Sequence, residues 1–135
     1  MDEMRVQALR LLRKADEDRY AASCLANSPA ASIWNIGFHA QQAVEKSLKS
    51  VLMRQGVRYP FTHDIAALIK LVFQADLPLP PDSDDLFYLT PFGTLFRYEV
   101  EEWGLPESLD VSRLLGWANA TVAWPRSVLT EDEAS

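Results

Sequence analysis

The stretch from Ile33 to Leu52 constrains this chain most, because its apolar residues cover far more of a helix than one side. At about 100° per residue, with His39 at zero, Ile33, Trp34, Ile36, Phe38, Ala40, Ala43, Val44, Leu48, Val51 and Leu52 fill an arc from about 40° to about 260°. A helix so apolar is central, with two or more neighbours packed on it. His39, Gln42, Lys46, Lys49 and Ser50 share the remaining sector, as a solvated face would. Gln41 and Glu45 do not join them: an amide and a carboxylate, one turn apart, fall inside the apolar arc. Burying either without a partner costs several kcal/mol. Two accounts are open. In one, Glu45 pairs with Lys49 in the favourable glutamate-before-lysine order, or caps a loop from inside the bundle. In the other, the stripe Gln41, Glu45, Lys49 lines an interhelical or intersubunit groove that accepts a polar ligand or partner.

The rest of the chain reads as helices around this one. Apolar residues from Met4 to Leu25 recur at spacings of three and four, a helix with one buried face that Asn27, Ser28 and Pro29 end. The central helix is expected from about Pro29 to Met53, stopped by Gly56. Thr62 or Asp64 caps a short third helix through Ile65, Leu68, Ile69, Val72 and Phe73. Residues Asp76 to Asp85 carry three of the eight prolines and four acids, so they form a tethered connection. A fourth helix is expected from Asp82 to about Val100, kinked or broken by Pro91 near Thr90. Ser108 caps a fifth, from Leu109 to about Trp124, ending at Pro125. Nothing alternates with period two for long enough to make a strand. The expected architecture is an all-α, up-and-down bundle of about five helices forming one domain over residues 1–135, ordered over about 4–128, with a frayed acidic tail at 130–135.

Composition narrows the function classes. A length of 135 residues suits one compact domain, and 48% hydrophobic against 24% charged residues is the balance of a chain that folds. Charges or prolines interrupt every apolar stretch before the roughly 20 residues a membrane-spanning helix needs. The charged, amphipathic start from Met1 to Arg13 lacks a signal peptide's apolar core, so no membrane association and a cytoplasmic location are expected. A net charge of -6 argues against broad nucleic-acid binding, which needs clustered lysine and arginine. The single cysteine, Cys24, sits among alanines and reads as core filler. His39 and His63 have no second histidine or carboxylate at a metal-binding spacing, so no metal and no cofactor are expected. His63 precedes Asp64 at a helix start, where a side chain often serves the backbone.

The run Phe38-His39-Ala40-Gln41-Gln42-Ala43-Val44-Glu45-Lys46-Ser47-Leu48-Lys49-Ser50-Val51-Leu52 resembles the signature helix of the HEPN family. Thr62-His63-Asp64-Ile65 and then Arg97-Tyr98 follow it in the family's order. The resemblance implies a bundle of about five helices. It also implies frequent dimerisation and frequent association with a minimal nucleotidyltransferase. Some members act as the toxin of a toxin-antitoxin pair and cut RNA without a metal. Those nuclease members carry an arginine followed a turn or so later by a histidine. Here Tyr98, Glu99, Val100, Glu101, Glu102 and Trp103 follow Arg97, and no histidine lies downstream. Glu99 also replaces the proline that other members place after the arginine-tyrosine pair.

Two functional readings follow from these residues. The first is a dimeric, non-catalytic binding module whose groove, built from Gln42, Glu45, Lys46, Lys49, Arg97 and Tyr98, takes a nucleotide or docks a nucleotidyltransferase. Lysine and arginine meet phosphate oxygens, and tyrosine stacks on a base. The second is a metal-independent ribonuclease in which Arg97 stabilises the transition-state charge and His39 or His63 reaches it across the bundle or the dimer.

Overall fold

A computed structural model describes residues 2–93 and 108–134, and among these there is no strand. Four α-helices, α1 (Glu3–Ala26), α2 (Ile33–Arg54), α3 (Ile65–Gln74) and α4 (Val111–Ala134), and a 3-10 helix (Leu86–Gly93) form a helical bundle. Short polar side chains start the α-helices by accepting from backbone N–H groups that have no partner inside the helix. Asp2 accepts from Met4 for α1, Ser32 from Trp34 and Asn35 for α2, Asp64 from Ala66 and Ala67 for α3, and Asp110 from Arg113 for α4. The central helix therefore begins at Ser32 rather than at Pro29, and the last is capped by Asp110 rather than by Ser108.

The ends are equally local. Gly56, at φ 74, sits in the left-handed region, and Val57 N–H donates to Leu52 carbonyl oxygen at 2.8 Å, a Schellman termination of α2. Asp76, at φ 59, does the same for α3, with Leu77 N–H on Val72 carbonyl oxygen at 3.3 Å.

The central position expected of α2 is met: it touches α1, α3, α4 and the 3-10 helix. Its sector of His39, Gln42, Lys46, Lys49 and Ser50 is not a solvated face, however: Lys49 and Ser50 are buried and the other three half-buried. The buried residues of α1 are Ala8, Ala15 and Ala22, seven apart, a stripe of small side chains that lets the polar side of α2 come close. Ser50 is fully buried there, its hydroxyl donating to the Ala8 carbonyl oxygen at 3.0 Å. Cys24 lies off this stripe and is exposed, which corrects its reading as core filler.

Two further expectations change. Over its described part, the fourth segment is not α-helical: turns lead into the 3-10 helix, which contains Pro91, and residues 94–100 lie outside the described residues. A 3-10 helix repeats every three residues, so Leu86, Leu89 and Phe92 share one face and are buried together. Phe92 packs tilted against Trp34, ring centroids 5.1 Å apart, and fills the space above Gly37, where a Cβ would collide with its ring. The last helix does not end at Pro125 but runs through it to Ala134. Proline removes one backbone hydrogen bond. Packing of Trp117, Ala118, Trp124 and Val128 outweighs that loss, and Trp124 Nε1 donates to the Pro78 carbonyl oxygen at 3.1 Å, tethering the proline-rich connection.

Among the described residues, no helix is long and apolar enough to cross a membrane.

A candidate ligand site around Glu45

The conflict inside α2's apolar arc is resolved by a closed set of hydrogen bonds. Glu45 is 4% exposed and Gln41 is fully buried. The Glu45 carboxylate accepts from Gln41 Nε2 at 2.9 Å and from Lys49 Nζ at 3.1 Å. Its Oε1 also lies 2.9 Å from His63 Nδ1. Gln42 Nε2 extends the chain by donating to Gln41 Oε1 at 2.7 Å, and Gln41 Nε2 also approaches the His63 carbonyl oxygen at 3.4 Å. A carboxylate offers acceptors only, so these contacts set donors against it. His63 meets the carboxylate through Nδ1, and among the described residues nothing bonds its Nε2, in a side chain 44% exposed. A buried carboxylate held this way escapes most of the several-kcal/mol cost of burial without a partner.

The loop from Val57 to His63 is fixed at both ends, by the Gly56 termination and by the Asp64 cap, where Thr62 Oγ1 also accepts from Asp64 N–H. With Asp64 and Thr62 serving the backbone, His63 is left to turn inward. That corrects the reading in which His63 serves the helix start. The Tyr59 ring lies 5.7 Å from Lys49 Nζ and the Phe61 ring 5.9 Å from it. Burial, and then the Glu45 charge, push the Tyr59 hydroxyl above its ordinary pKa, so it stays neutral beside the cluster. On the far side, Gly93 packs so closely that a Cβ there would collide with the Gln41 amide. The segment that bears Arg97 and Tyr98 thus leaves the described structure against Gln41, while Arg97 and Tyr98 themselves lie outside the described residues.

The groove expected from the sequence is divided. Gln42, Glu45 and Lys49 come together, joined by His63. Lys46 and His39 instead face α1, where Asp18 takes Lys46 Nζ at 2.6 Å and lies 2.9 Å from His39 Nδ1. His39 is thus bound to the α1–α2 contact and not to the Glu45 cluster. The expected Glu45–Lys49 pair is present; the His63 contact and the aromatic pair Tyr59 and Phe61 were not anticipated. The even spacing of Tyr59, Phe61 and His63 was the available signal, since alternate residues of an extended segment point the same way. Among the described residues, no group of three histidine, cysteine, aspartate or glutamate side chains is placed to hold a metal ion.

A family model described as HEPN domain matches residues 8–128, most of the chain. No curated protein and no solved structure matches it.

Proposed function

The chain belongs to the HEPN domain family, and from that premise we propose that it is a non-catalytic, dimeric binding module that takes a nucleotide at the cluster around Glu45. Its proposed partner is a minimal nucleotidyltransferase, in a toxin-antitoxin-type pair, as the family resemblance implies. The observation that carries the reading is the charge balance of the cluster. Glu45 and Lys49 neutralise one another inside the bundle. Among the described residues, His63 Nε2, beside the Phe61 ring, is left open for a small polar ligand rather than a polyanion. Arg97 and Tyr98 supply the phosphate contact and a stacking ring in this proposal, and Glu99, Glu101 and Glu102 disfavour a long phosphate backbone.

Calorimetric titration with mononucleotides tests it. Saturable binding that Arg97→Ala weakens is expected; no binding at millimolar nucleotide would contradict it.

One observation favours a second reading, the metal-independent ribonuclease. A carboxylate set against Nδ1 of a histidine is the contact that orients the ring for proton transfer, and Glu45 and His63 make it at 2.9 Å. His63 would supply the histidine that the Arg97 segment lacks. The expected result is no RNA cleavage in the presence of a chelator. Cleavage lost in both Arg97→Ala and His63→Ala, but kept in His39→Ala, would establish the second reading instead.

A further inference from the structure

The loop joining α2 to α3 holds an aromatic ring in water at the mouth of the Glu45 cluster. Phe61 is 94% exposed, the most exposed of the large hydrophobic side chains among the described residues. It is nevertheless not a dangling side chain. The His63 ring stands edge-on to it at 5.6 Å and 73°, Lys49 Nζ approaches it at 5.9 Å, and Pro60 precedes it in a loop tied down at both ends. Its position is set by α2, yet nearly all of its own surface is offered to solvent.

We propose that Phe61 is the stacking platform for the base of a purine nucleotide, with His63 Nε2 accepting a hydrogen bond from the base's amino group; the proposal rests on the nucleotide reading above. The chemistry of the surroundings selects this ligand. A cation is disfavoured, because Lys49 already holds the cationic position beside the Phe61 and Tyr59 rings. A polyanion is disfavoured, because the cluster is electrically balanced by Glu45 and the chain carries a net charge of -6. A flat, neutral, π-faced group with a hydrogen-bond donor at its edge fits both the open ring and the open acceptor. A purine covers more of a phenyl ring than a pyrimidine does, so AMP binds more tightly than UMP.

The test is calorimetric titration of the full chain with AMP and with UMP, using wild type, Phe61→Ala, Phe61→Trp and His63→Gln. Because Phe61 is exposed, Phe61→Ala keeps its melting temperature, which separates a binding defect from unfolding. Loss of one stacked base contact weakens AMP about tenfold in Phe61→Ala. Phe61→Trp retains binding, and its indole fluorescence is quenched by AMP. His63→Gln weakens AMP to a smaller extent. Equal AMP affinity in wild type and Phe61→Ala overturns the platform and leaves the nucleotide reading standing. No AMP binding to wild type overturns both. UMP bound as tightly as AMP overturns the purine preference. Conversion of a wild-type dimer to a monomer by Phe61→Ala assigns the ring to a subunit contact and overturns the platform as well.

Discussion

At the scale of single residues, Glu45 decides how α2 can be both central and polar. Three donors converge on it, so removing the carboxylate strands Lys49 and His63 together. Glu45→Ala is expected to lower stability by about 3–5 kcal/mol, the usual cost of breaking a buried pair, and Glu45→Gln by clearly less, since an amide keeps the volume and one acceptor. Equal chemical-denaturation midpoints for the two variants would show the site to be solvated. Tyr59 gives a pH signature of the same cluster. Its folded pKa is raised above the ordinary value of 10.0 by burial and by Glu45. The unfolded chain thus releases this proton first, and stability is full below about pH 10 and declines as the pH rises through the folded value. Tyr59→Phe is expected to flatten the decline above about pH 10; an unchanged slope would detach Tyr59 from the cluster. The sequence made the anomaly at Gln41 and Glu45 legible through the helical wheel, and it paired Glu45 with Lys49. It did not pair His63 with Glu45, because that contact spans 18 residues and depends on where the loop returns.

At the scale of elements, what was legible followed local chemistry. Asp64 and Gly56 mark helix ends whose rules are written within a few residues, and both ends fall where expected. The departures are tertiary. Pro125 stays inside α4 because buried neighbours on both sides hold the helix, and the segment after Asp82 winds as a 3-10 helix to bury Leu86, Leu89 and Phe92 on one face. The solvated sector assigned to α2 failed for the same reason. Wheel position alone does not reveal that an alanine stripe in α1 will cover Ser50 or that the α2–α3 loop will cover Lys49. One terminus is left improvable: Asp76 occupies the left-handed position of a Schellman end at φ 59, which glycine adopts without steric cost. Asp76→Gly is expected to stabilise the protein by about 0.5–1 kcal/mol, read from thermal or denaturant unfolding. A loss of stability would mean that the Asp76 side chain supports the turn.

At the scale of the whole molecule, two polar clusters divide the labour of α2. Asp18, with His39 and Lys46, clamps α1 to α2, and Glu45, with Gln41, Lys49 and His63, faces the α2–α3 loop and Gly93. The proposed dimer belongs to this scale. Phe73, Phe87 and Tyr88 remain exposed, apolar side chains that a second copy would cover, whereas Phe92 is buried within the chain. Light scattering at micromolar concentration is expected to give twice the 15.2 kDa chain mass, and a monomer mass would remove the dimer from the proposal. The most direct test of a nucleotide site at the Glu45 cluster is a backbone amide chemical-shift titration of isotope-labelled protein with AMP. Saturable shifts confined to residues 41–49, 58–63, Gly93 and the proposed contacts Arg97 and Tyr98 are expected. Shifts centred on Asp18 and His39, or no shifts at millimolar AMP, would contradict it.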